Sequence, residues 1–150
     1  MLRSRLSPCL LINNGALVKS IRFKDYKYIG DPLNAVRIFN ELFVDEIIIL
    51  DISASKNNNP PDFELISDIS SQCRMPLCYG GGIKDMETIV KLIGLGVEKI
   101  ALGSILFSKP DLIKKASEIL GSQSVVAVLD IAKSKFRKRF TCKYLNGKKD

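Results

Sequence analysis

Apolar residues along this chain switch repeatedly between an extended and a helical spacing. Residues 5–12 are apolar and read as a first strand, closed by Asn13-Asn14-Gly15. Residues 14–29 alternate loosely (Leu17, Val18, Ile21, Phe23, Tyr26, Tyr28) among charges, which suits a long loop or hairpin. Asp31-Pro32 then opens a helix, with the aspartate free to cap exposed N–H groups and the proline suited to the first turn. Leu33, Val36, Phe39 and Phe43 follow at helical spacing. Ile47-Ile48-Ile49-Leu50-Asp51-Ile52 is a continuous β-branched run, as expected of a parallel strand covered on both faces.

The pattern then repeats. Residues 57–61 form a loop, 62–73 a helix, and Pro76-Leu77-Cys78-Tyr79 a short strand that ends in Gly80-Gly81-Gly82. A helix over 85–95 is capped by Asp85, and Lys99 to Ser104 is a strand running into a turn. Residues 110–120 form a helix begun by Pro110-Asp111 and closed by Gly121. Val125 to Asp130 is the fifth strand. Alternation of this kind specifies an α/β fold with a parallel sheet. An open doubly wound sheet would carry a dinucleotide fingerprint after its first strand, and the glycine clusters here follow the third and fourth strands instead. The expected architecture is therefore a β/α barrel. Eight strands close such a barrel, so residues 1–150 supply the N-terminal part: about four βα units plus a fifth strand, in one domain. The chain ends in mid-pattern, as a fragment or a shortened product, and an open half would favour self-association.

Composition narrows the chemistry. The chain is 46% hydrophobic, enough for one packed core, with no apolar run long enough for a membrane helix. The net charge of +7 is local, because residues 133–150 hold eight basic side chains against one acidic one. That basic tail reads as a solvated loop or hairpin; the alternative is a polyanion patch, and nucleic-acid binding lacks a base-reading aromatic motif. Histidine is absent, so the chain has neither histidine acid–base chemistry nor histidine-ligated metal, and no cofactor motif is present. Cys9, Cys73, Cys78 and Cys142 form no CxxC pair, which fits free thiols in a reducing cytoplasm.

Strand ends place the candidate chemistry. In a β/α barrel the C-terminal ends of the strands form the active mouth. Gly81 and Gly82, between a strand and a capped helix, suit an oxyanion cradle or merely a tight turn; Gly103 and Ser104 end the next strand and favour a shared phosphate site. Asp130 and Asp51 each end a strand. Asp130 is the candidate acid/base, whereas Asp51 serves substrate binding or fixes a loop. Lys19, in the loop after the first strand, is positioned to supply a cation over the mouth. Arg5, Glu46 and Lys99 sit at strand starts and would gather at the opposite end, as surface ion pairs or as a gate across the barrel axis.

These residues resemble a known family, the cyclase subunit of imidazole glycerol phosphate synthase. The likeness rests on Arg5-x-x-Pro8-Cys9-Leu10, Gly15-x-x-Val18-Lys19, Gly30-Asp31-Pro32, Asp45-Glu46 and Leu50-Asp51-Ile52-x-Ala54-Ser55. It continues in Gly80-Gly81-Gly82-Ile83, Gly96-x-Glu98-Lys99 and Gly121-Ser122-Gln123-x-Val125-Val126. The resemblance implies a (β/α)8 barrel that takes ammonia from a glutamine amidotransferase partner through its charged base. It implies a phosphorylated nucleotide substrate converted to imidazole glycerol phosphate, and no cofactor. It makes Asp130 and Lys19 catalytic, Gly82, Gly103 and Ser104 phosphate-binding, and Arg5, Glu46 and Lys99 gate residues. The family usually has Asn-Thr where this chain has Gly103-Ser104. Its first catalytic aspartate falls on Leu11, which cannot transfer a proton. A divergent branch that also carries leucine there is linked to acetamidino-sugar formation for surface polysaccharides. The readings to compare are thus the cyclase, that branch, and a non-catalytic half-barrel that binds the amidotransferase.

Overall fold

In the computed structural model, residues 3–21, 24–133 and 140–143 are described. The first apolar run gives β1 (Cys9–Asn13). The loosely alternating stretch is a hairpin of β2 (Ala16–Ile21) and β3 (Lys24–Gly30), and β1 turns into β2 through Asn14 and Gly15, both at positive φ. Then come α1 (Pro32–Glu41), β4 (Ile47–Asp51), α2 (Ile52–Asn57), α3 (Phe63–Gln72), β5 (Leu77–Gly80) and α4 (Met86–Gly94). The chain continues through β6 (Lys99–Leu102), α5 (Ile105–Ser108), α6 (Pro110–Leu120) and β7 (Val125–Ala127). It closes with a two-stranded hairpin, β8 (Asp130–Lys133) and β9 (Phe140–Lys143).

Strands β1, β4, β5, β6 and β7 are mutually parallel, and β2 and β3 extend the β1 edge antiparallel, giving the order β3-β2-β1-β4-β5-β6-β7. Four βα units and a fifth parallel strand are thus present, in an α/β fold. Alternate strand residues fix the two faces of the sheet. Ile47 and Ile49, Leu77 and Tyr79, and Ile100 and Leu102 pack under the helices against Val36, Ile66, Ile89 and Ala116, all buried in one core. The other face carries Cys9 and Leu11, Ile48 and Leu50, Cys78, and Ala101, which the register aligns in rows. On it Leu11, Ile48 and Leu50 are only half-buried.

Aspartate caps explain where helices start. Asp31, Asp62 and Asp85 each accept the N–H of the residue three positions on, at 3.0, 3.1 and 2.8 Å. Two expectations need correction. The fifth strand stops at Ala127, three residues before Asp130; Val128 adds one more bond, to the Leu102 carbonyl, and the chain then leaves the sheet to form β8. Lys19 is not in a loop. It lies in β2 and is exposed, one residue past Val18, which pairs with Leu11. Of the basic tail, β8 and β9 supply hairpin strands, and residues 134–139 and 144–150 lie outside the described residues. Among the described residues no helix is long and apolar enough to cross a membrane.

Candidate functional site

Because the five parallel strands run in one direction, their starts and ends form two separate chemical surfaces. At the starts, Glu46 is the organising group. Its Oε2 accepts from Lys99 Nζ at 2.7 Å and from Arg5 Nη2 at 3.3 Å. The Glu46 side chain is only 9% exposed, Lys99 26% and Arg5 56%. Lys99 therefore contributes most of the compensation for a nearly buried carboxylate, and Arg5 closes the pair from the solvent side. The segment carrying Arg5 is held against β4 by the Leu6 N–H, which donates to Asp45 Oδ2, and by the Ile48 N–H, which donates to the Pro8 carbonyl. Cys78 lies beside this cluster. Burial pushes its thiol up to about 12, with the Glu46 charge adding and Lys99 opposing. The thiol is neutral near pH 7 and is no nucleophile.

At the strand ends the backbone crowds. Gly81 and Gly82 both have positive φ, 127° and 69°. A Cβ on Gly81 would lie 2.8 Å from the Asp51 Cβ, and one on Gly82 would lie 2.7 Å from the Asn59 carbonyl oxygen. Glycine is needed at both positions for conformation and for space. Ser55, Gly81, Gly82, Lys84, Gly103 and Ser104 line a single cavity of about 410 Å³. The structure therefore brings together the four glycine and serine positions expected to share an anion. The Gly82 N–H donates to Ser55 Oγ at 3.2 Å.

The other rim candidates lie elsewhere. Asp51 is the N-cap of α2: its Oδ1 accepts from the Ser53 N–H, the Ser53 hydroxyl and the Ala54 N–H at 2.9, 2.7 and 2.9 Å. The same Ser53 hydroxyl accepts the Asn14 N–H, tying the β1–β2 turn to this cap. That is the loop-fixing arrangement. Asp130 is half-buried at the start of β8, and burial raises its carboxyl above the ordinary value. Neither Asp51, Asp130 nor Lys19 lines the cavity. Tyr79, on the helix side of β5, has a buried hydroxyl with no hydrogen-bond partner among the described residues; burial raises its pKa, with Asp51 and Asp62 adding to the shift.

Sequence reasoning passed over three residues here. Ser55 sits four positions after Asp51, a spacing that only makes sense once α2 is recognised as a helix. Lys84 follows the glycines by two residues and bonds the Asn58 carbonyl at 2.6 Å. Lys109 bonds the Lys84 carbonyl at 3.1 Å. Among the described residues no cluster of acidic residues and cysteines is arranged to hold a metal ion.

Comparison with known proteins gives the family. Residues 5–148 match the family model described as "Histidine biosynthesis protein". The chain is 51% identical, over 99% of its length, to the "Putative imidazole glycerol phosphate synthase subunit hisF3" of Vibrio vulnificus (strain YJ016), covering 57% of that protein. It is 49% identical to the "Putative imidazole glycerol phosphate synthase subunit HisF" of Leptospira borgpetersenii, over 99% of the chain and 59% of the relative. It is 36% identical, over the same shares, to the imidazole glycerol phosphate synthase subunit HisF of Staphylococcus epidermidis. None of these names a surface-sugar enzyme, so the amidino-sugar alternative gains no support from them. The chain spans a little under three-fifths of the length of the curated relatives it matches. On the family match and these identities, the chain belongs to the histidine biosynthesis protein family of TIM barrels, with HisF-type cyclase subunits of imidazole glycerol phosphate synthase among its relatives.

Proposed function

We propose that this chain carries the half-barrel of an ammonia-using cyclase subunit, partnered by a glutamine amidotransferase. The observation that carries the reading is the division of labour between the two ends of one parallel sheet. A nearly buried Glu46 is bridged by Lys99 and Arg5 at the strand starts, and a glycine-lined cavity opens at the strand ends. The charged cluster serves as the gate through which ammonia enters from the partner. The sheet face between the two ends, lined by Cys9, Leu11, Leu50, Cys78 and Ala101, is apolar enough to carry neutral ammonia in preference to ammonium.

At the far end the Gly81, Gly82, Gly103 and Ser104 backbone and hydroxyl groups take one phosphate of a phosphoribulosyl-aminoimidazole carboxamide nucleotide. Asp130, with its raised pKa, is the acid/base, and Lys19 supplies positive charge once the β2–β3 hairpin turns over the mouth. Asp51 acts through the α2 cap, positioning Ser55 and the substrate-facing loop. Leu11, paired with Leu50, lies on that same sheet face and cannot transfer a proton. The setting is cytoplasmic, and neither a metal nor a cofactor takes part. The test is reconstitution with the amidotransferase, following glutamine hydrolysis and imidazole glycerol phosphate together. Coupled formation of both products supports the reading. Stimulated glutaminase with no cyclised product would mark a half-barrel that only binds its partner, and no stimulation at all would end the proposal.

A further inference from the structure

The glycine cavity is bordered by a side chain that a simple strand-to-helix turn does not require. Lys84 lines the cavity together with Gly81, Gly82 and Ser104. Its ammonium reaches across the mouth to the Asn58 carbonyl at 2.6 Å, and Asn58 is the left-handed residue that ends α2. Lys109 in turn donates to the Lys84 main-chain carbonyl at 3.1 Å, which braces the backbone that carries Lys84. The carboxylate of Asp85 feels both lysines but is committed to the Thr88 N–H at the start of α4. Lys84 is the one charged side chain among the described residues that line the cavity, and no carboxylate lines it. The remaining lining is backbone, hydroxyl and apolar surface, including the Gly82 N–H that now donates to Ser55.

We propose that Lys84 is a ligand-binding cation of this cavity, exchanging the Asn58 carbonyl for an oxygen of a phosphate monoester dianion seated on the Gly82 and Ser104 groups. The inference rests on the phosphate-site reading above and adds to it the residue that supplies charge. A neutral carbonyl is a weak acceptor beside a dianion, so the exchange strengthens the bond Lys84 makes. It also frees the Asn58–Pro60 loop, which packs within 2.7 Å of where a Gly82 Cβ would stand, so the ligand loosens the loop that walls its own cavity.

The test is calorimetric titration of the full chain with inorganic phosphate. Wild type binds; Lys84→Gln weakens binding at least tenfold; Lys84→Arg, which keeps the charge, stays within about threefold. In the wild-type chain the Lys84 side-chain ammonium resonance shifts as phosphate is added, a readout that needs no variant. Binding by folded Lys84→Gln within twofold of wild type overturns the assignment, as does an unmoved Lys84 resonance. Equal loss in the Gln and Arg variants also overturns it, because the lysine would then act only by pinning the loop. If wild type itself takes up no phosphate at millimolar concentration, the phosphate-site reading falls together with this inference.

Discussion

Phe43 and Gly82 both sit at positive φ, and their surroundings give opposite expectations for substitution. Phe43 has φ 51° and is 91% exposed, just past the end of α1. Its aromatic ring contributes little packing, while a side chain in left-handed backbone costs on the order of 1 kcal/mol. Phe43→Gly should therefore raise stability by roughly 0.5–1 kcal/mol, read as a higher thermal midpoint. Gly82→Ala should do the reverse. Its Cβ would meet Asn59 backbone at 2.7 Å, and a loss of about 2 kcal/mol or more is expected in denaturant melts. Gly103 separates space from function, since a Cβ there would sit an ordinary 3.7 Å from the Val128 carbonyl oxygen. Gly103→Asn, the residue usual in the resembled family, should fold within about 0.5 kcal/mol of wild type. Of these positions, the need for glycine at 81 and 82 was legible from the triple-glycine run. The contrast with Gly103 was not, because it depends on which distant backbone comes close.

Helices and strands were read well where the apolar period was long or an aspartate cap marked the start. The α1, α3 and α4 starts all follow an Asp whose carboxylate accepts an N–H three residues on. For α4 this sets a pH dependence. Thr88 hydrogen bonds hold the Asp85 carboxyl below its ordinary value. A lowered folded-state pKa adds stability above the ordinary carboxylate value, and that stability is lost as pH falls through the lowered one. Asp85→Ala should cost roughly 1 kcal/mol at pH 7 in thermal melts, shrinking towards zero at strongly acid pH. The elements misread share a physical cause. Ile52–Asn57 (Ile-Ser-Ala-Ser-Lys-Asn) has no apolar stripe and continues an apolar strand, so only the Asp51 cap identifies it as helical. Val128 and Leu129 extend the apolar run past Ala127, and nothing local says that the sheet ends where β6 runs out of partners.

Misplacing that strand end matters most for Asp130, which starts β8 and is half-buried there. Burial raises its carboxyl. A raised folded-state pKa favours folding below the ordinary carboxylate value, and this advantage is lost as pH rises through the raised one. Asp130→Asn should therefore melt slightly above wild type at pH 7 and level with it near pH 3, while reconstituted cyclase turnover falls by about 10²–10⁴. A variant that melts higher and turns over normally would leave Asp130 a buried acid without a chemical task.

At the scale of the whole chain, the Glu46 cluster joins β4, β6 and the segment before β1 into one base, so its stability and gating roles are separable by charge. Lys99→Met leaves a carboxylate that is only 9% exposed with the more exposed Arg5, at 3.3 Å, as its remaining partner. Breaking a fully buried pair costs about 3–5 kcal/mol, and the partial exposure of Lys99 brings the expectation nearer 2. Replacing both partners, Glu46→Gln with Lys99→Met, removes the unpaired charge and should recover at least half of that loss in the same denaturation measurement. The gate reading requires something the double variant cannot restore. With the amidotransferase present, glutamine consumption and cyclised product should become uncoupled in the double variant, whereas exogenous ammonium should support equal product in variant and wild type. If stability returns and coupling returns with it, the three charges only brace the base of the sheet. If stability returns and coupling does not, the charges at the strand starts control the passage of ammonia towards the glycine cavity at the other end.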